Sequence, residues 1–126
     1  MPAVADPEKI GTYDALCKAG GGYVWDEVLE YRVWCHPECG APDEDEGSDY
    51  YYAFDNFDEA LQFSQDTKGA EQPLALVLQR EWINEPKPGV YERKSGERIA
   101  EWQCQWLAGS RRTPQVMESI LSRKPV

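Results

Sequence analysis

The run Leu74-Ala75-Leu76-Val77-Leu78, introduced by Pro73, constrains the fold of this chain more than any other segment. An unbroken apolar run of this length, behind a proline, reads as a strand rather than a helix. A strand without polar alternation must be covered on both faces, so it belongs at the centre of a sheet. We expect it to continue as residues 79–83.

Other segments supply its neighbours. In residues 27–35, Val28, Tyr31, Val33 and Trp34 favour strand, and Glu30 and Arg32 alternate with Leu29, Tyr31 and Val33. A short hairpin arm is expected before it at 22–25, and Pro37 closes it. Residues 49–54, with Tyr50, Tyr51 and Tyr52 in a row, form another strand. Residues 84–89 contain two prolines and read as a turn. Residues 90–94 and 98–107 flank Ser95-Gly96-Glu97, which reads as a hairpin turn. In the last strand Ala100, Trp102, Cys104 and Trp106 point one way, and Glu101, Gln103 and Gln105 the other.

Helices fall between these runs. Residues 13–18 predict a short helix stopped by Gly20-Gly21-Gly22. Asn56 is the N-cap of a helix running to about residue 67, with Glu59 completing a capping box. Phe57, Ala60, Leu61 and Ser64 share its inner face, with Phe63 beside them. Thr113 and Pro114 open a final helix as N-cap and first residue, and Val116, Met117, Ile120 and Leu121 are its apolar stripe. The order predicts an α+β fold: a mostly antiparallel sheet of about five strands with two or three helices packed on one face. Residues 1–21 are a lead-in with a short helix, and residues 22–126 are a single domain.

Composition narrows the function. The chain has 126 residues and is 41% apolar, with five Trp, seven Tyr and three Phe, enough for one aromatic-rich core. Its net charge of -10 opposes nucleic acid and anionic membrane surfaces as partners. No apolar stretch approaches the ~20 residues a spanning helix needs. Residues 1–6 lack the basic and apolar regions of a signal peptide. These features predict a cytoplasmic protein, bacterial in style, with reduced cysteines.

The most unusual chemistry lies in Cys35-His36-Pro37-Glu38-Cys39, which holds two thiols and the single histidine, followed by acids from Asp43 to Asp49. Cys35, His36 and Cys39 are candidate zinc ligands, but tetrahedral zinc needs a fourth, from Cys17, Cys104 or a carboxylate. A redox pair of Cys35 and Cys39 lacks the two-residue spacing and the helix N-terminus that activate thiols. The acidic run lacks the alternating ligands of a calcium loop. Nearest to a pyrophosphate cradle is Cys17-Lys18-Ala19-Gly20-Gly21-Gly22, with Cys where Arg or Gln would stand. It follows a predicted helix and precedes a strand. The aromatic set of Trp34, Tyr50, Tyr52, Trp82, Trp102 and Trp106 exceeds what a small core needs, and part of it should line a pocket or an interface.

Several segments together resemble a known group. They are Glu30-Tyr31-Arg32-Val33-Trp34-Cys35-His36-Pro37, Asp49-Tyr50-Tyr51-Tyr52-Ala53-Phe54, Phe57-Asp58-Glu59-Ala60-Leu61-Gln62-Phe63-Ser64, Pro73-Leu74-Ala75-Leu76-Val77, Glu97-Arg98-Ile99-Ala100-Glu101-Trp102-Gln103 and Trp106-Leu107. Over residues 22–121 this resembles small proteobacterial proteins of uncharacterised role that are labelled GNAT-type acetyltransferases. The resemblance implies an acetyl-CoA-dependent N-acetyltransferase and carries no site residues with it.

The residues themselves point to a non-catalytic binding or interaction domain for a protein or small molecule, with no cofactor required. The candidate binding residues are Trp34, His36, Tyr50, Tyr52, Trp82 and Trp102. The alternatives are the acetyltransferase and a domain stabilised by zinc on Cys35, His36 and Cys39.

Overall fold

The computed structural model describes residues 1–15 and 20–123. Four antiparallel strands, β1 (Glu27–Cys35), β2 (Tyr50–Phe54), β3 (Leu74–Lys87) and β4 (Val90–Gln103), form one sheet in the order β2-β1-β3-β4. Two α-helices accompany it, α1 (Phe57–Asp66) and α2 (Pro114–Leu121). Three short 3-10 turns, Pro7–Lys9, Pro37–Cys39 and Cys104–Leu107, complete the elements. No helix among the described residues is long and apolar enough to cross a membrane.

β3 is central, as its apolar run requires. Ala75, Leu76 and Val77 have no exposed surface. One face of the sheet carries Tyr31, Val33, Cys35, Ala75, Val77, Ala100 and Trp102, packed with Ala60 of α1. Phe57 of α1 meets Tyr31 edge to face, with ring centroids 5.9 Å apart. The far end of the β3–β4 hairpin has its own cluster, in which Val24 and Ile83 pack against Met117 and Ile120 of α2. Each such buried aliphatic side chain contributes about 1.5–3 kcal/mol by leaving water.

The sheet has four strands rather than about five, because Ser95-Gly96-Glu97 is not a turn. β4 runs straight through it, and the register slips by one residue between Gln79↔Arg98 and Glu81↔Ser95. That is a bulge, and it absorbs the glycine without ending the ladder. The hairpin turn is Pro88-Gly89, the end of the turn expected over 84–89, whose earlier residues extend β3 to Lys87. Gly89 takes φ 81°, and its N–H is held by Glu85 at 2.8 Å. β4 also stops at Gln103 rather than at 107. The 3-10 turn Cys104–Leu107 breaks the alternation, so Cys104 and Leu107 are buried while Trp106 swings outward.

One further expectation needs correction. The arm expected at 22–25 is a single bridge between Trp25 and Arg111. On β1, the charged Glu30 and Arg32 are both fully buried. They pair at 2.6 Å, and the Arg32 guanidinium also meets Glu101 at 3.1 Å and the carbonyls of Asp14 and Ala15. The ring of Tyr51 lies 4.4 Å beneath it. A buried ion pair is tolerable only when such partners satisfy its remaining donors. The helix expected at 13–18 falls mainly on residues outside those described, as does Cys17; Tyr13, Asp14 and Ala15 are not helical.

Candidate functional site

Gln79 sits on β3 with no exposed surface. Its amide N–H groups reach the carbonyls of Gly21 at 2.9 Å and Val24 at 2.8 Å, and its oxygen accepts from Arg98 Nε at 2.6 Å. An amide so engaged has one possible orientation, since only its nitrogen can donate to carbonyls. Trp102 adds its indole N–H to the same Gly21 carbonyl at 2.9 Å. Arg98 reaches Gly20 O at 3.0 Å and lies over Trp82 at 4.8 Å. Ile83 N–H of β3 takes the carbonyl of Gly22. The glycine run is therefore pinned beside β3 by its carbonyls.

The pinned backbone is an unusual one. Gly21, Gly22 and Tyr23 have φ of 65°, 91° and 69° in succession. At Gly22 φ 91° strains any side chain, and a Cβ would stand 2.5 Å from Gln79 Nε2 and 2.7 Å from Arg98 Nη2, so it would also displace those two hydrogen-bonded groups. Tyr23 is not glycine, and its left-handed conformation costs about 1–3 kcal/mol. Its partners hold it there. The hydroxyl donates to Glu85, and the ring packs edge-on to Tyr91 at 5.8 Å. The Glu85 hydrogen bond is the main cause that pushes the Tyr23 phenol up to about 12, and Tyr23 in turn lowers Glu85.

Gly21, Gly22, Tyr23, Trp102 and Trp106 line a cleft of about 420 Å³, within the roughly 300–1,000 Å³ of small-molecule sites. Trp102 is its buried wall. Trp106 stands 46% exposed at the mouth, its ring 6.0 Å from Trp102 and inclined at 72°. A larger hollow of about 690 Å³ lies between Met1, Phe57, Leu74 and Gln105. It has neither an aromatic pair nor a strained backbone.

The residues singled out in the sequence do not converge on one place. Trp102 lies in the cleft, whereas Trp82 is not part of its lining and lies under Arg98. Trp34 belongs to the buried ionic face, donating to Glu101 at 2.8 Å. Tyr50 and Tyr52 lie on β2, with hydroxyls on Pro42 O at 2.7 Å and Glu44 at 2.6 Å. His36 bridges two segments, with Nδ1 2.9 Å from Asp49 and Nε2 3.3 Å from Glu71. The Asp49 hydrogen bond leads the causes that raise its pKa, with Glu71 adding to it.

Of the other proposed zinc ligands, Cys35 turns into the core, where burial raises its thiol pKa, and Cys39 is exposed. Both His36 nitrogens face carboxylates. Among the described residues no group of three or more His, Cys, Asp or Glu is arranged to hold a metal ion. Cys104 is buried, donates to Pro73 O at 3.3 Å and has its thiol pushed up to about 11 by burial.

Tyr23 and Gln79 were not among the sequence candidates, and Trp106 stood in the aromatic set but not among the six candidate binding residues. Trp106 was assigned to the inward face by an alternation that the 3-10 turn interrupts. Three adjacent glycines before an aromatic residue were the one signal of an irregular, closely approached backbone. No family model, curated protein or solved structure matches the chain.

Proposed function

We propose that this protein is a small non-catalytic binding domain, and that its site is the cleft between the Gly21–Tyr23 backbone and the Trp102–Trp106 pair. The ligand class that fits is a compact molecule with a planar ring. Two indoles at a steep angle offer one face for stacking and one edge for a T-shaped contact, worth about 0.5–1.5 kcal/mol beyond area burial. The observation that carries the reading is Trp106, a large aromatic ring left 46% exposed at the mouth of an otherwise apolar cleft. We infer a reducing compartment, the cytoplasm, from the unpaired thiols of Cys35, Cys39 and Cys104.

Acyl transfer has no observation in its favour over the cleft. The glycine run leads into β1 rather than a helix. A pyrophosphate site of the usual kind lies where such a loop opens a helix, with the N-terminal N–H groups facing the ligand.

Calorimetric titration with indole and with quinoline tests the reading. Binding should saturate for wild type, persist in Trp106→Phe and weaken about two- to tenfold in Trp106→Ala, the loss of one aromatic contact. Equal affinity of wild type and Trp106→Ala would falsify the assignment of the site.

A further inference from the structure

The two edges of the sheet are treated differently. β4 is a long edge strand, and it carries the usual defences: Glu92, Arg93, Lys94 and Glu97 along its length and register shifts at two points of its ladder. β2 has none of them. Tyr50-Tyr51-Tyr52-Ala53-Phe54 contains no charge, proline or glycine. It pairs with β1 through five consecutive residues without a bulge. Among the described residues no strand pairs with its other side. An unguarded edge of this kind is a template for an added strand.

Its surroundings decide what would add. Asp43, Glu44, Asp45, Glu46 and Asp49 precede the strand, and Asp55 follows it. The Tyr50 and Tyr52 hydroxyls hold Pro42 and Glu44, so the acidic segment is fixed beside the strand. A second copy is a poor occupant. Paired antiparallel, it would set the acidic loop of one chain against Asp55 of the other, on top of a net charge of -10 each. Like charges brought together across an interface suppress that pairing.

We propose that β2 is a docking edge for an extended basic segment of a partner protein, which adds as a strand with its Lys or Arg side chains toward residues 43–49 and Asp55. Main-chain hydrogen bonds would supply the affinity, and the acidic rim the selectivity and rate. The site is independent of the aromatic cleft.

The test uses a blocked octapeptide of alternating lysine and valine, titrated into the 126-residue protein labelled with nitrogen-15. A glutamate–valine octapeptide is the control. The basic peptide should shift the amides of residues 50–54 and bind at least about tenfold more tightly than the acidic one, with the difference shrinking in 0.5 M salt. The exposed-loop double variant Asp45→Asn, Glu46→Gln should keep the fold and weaken binding about threefold or more. Equal binding of both peptides, shifts confined to another surface, no binding at millimolar peptide, or a wild-type dimer joined through β2 would each overturn the proposal.

Discussion

Gln79 carries no charge and exposes no atom, yet its amide sets the course of the chain from Gly21 to Val24 and the position of Arg98. Gln79→Leu would leave the buried Val24 carbonyl without its partner and remove one hydrogen bond from Arg98, while Gly21 O keeps the Trp102 indole N–H. Each buried unsatisfied group costs about 1–3 kcal/mol. Denaturant unfolding should show a loss of about 1–3 kcal/mol, and the tryptophan fluorescence should shift as Gly21, which also accepts from Trp102, loses its anchor on Gln79. His36 gives a prediction in pH. Its folded pKa is raised above the ordinary 6.5 by Asp49 and then Glu71. The stabilisation is therefore complete below the unfolded value of about 6.5 and is lost as pH rises through the folded pKa. The thermal midpoint of wild type should exceed that of His36→Gln most clearly between about pH 5 and 6.5, and the two should converge in the alkaline range. A constant difference across pH would mean that His36 acts by packing alone.

At the scale of elements, the caps and the central strand do what their residues dictate. Asn56 accepts from Glu59 N–H at 2.8 Å and Thr113 from Val116 N–H at 3.1 Å. Asn56→Ala should cost about 1 kcal/mol in chemical denaturation, with the helix intact by circular dichroism. Three of the four strands and both α-helices were legible in the sequence, because apolar periodicity and capping residues act over a few neighbours. The β3–β4 turn falls within the expected 84–89, but a second turn was read at Ser95-Gly96-Glu97, inside β4. Ser95-Gly96-Glu97 and Pro88-Gly89 are both turn-like locally. What separates them is the pairing of residues 79–83 with 93–98, a tertiary fact. Burial of Glu30 and Arg32 was illegible for the same reason. Alternation places them on one face, but the carbonyls of Asp14 and Ala15 that satisfy Arg32 come from a segment without periodicity.

At the scale of the molecule, the cleft lies where the two core clusters meet. Trp102 belongs to the cluster under α1, and Tyr23 packs against the cluster under α2. Loosening the second cluster should therefore reach the site. Met117→Ala removes a fully buried side chain and should cost about 2–5 kcal/mol, while weakening indole binding although Met117 does not line the cleft. Matched affinity in wild type and a folded Met117→Ala would separate the cleft from that cluster. Of the six candidate binding residues only Trp102 lines this site. Sequence patterns report on regular elements, whereas the cleft is built from a 3-10 turn, three left-handed residues and one buried amide. The most direct measurement is a nitrogen-15 spectrum recorded while indole is titrated into the protein. The cleft account predicts that the Trp106 and Trp102 indole N–H signals and the Gly21 and Gly22 amides shift together along one saturating curve. Saturable shifts elsewhere, with those four signals unmoved, would contradict it.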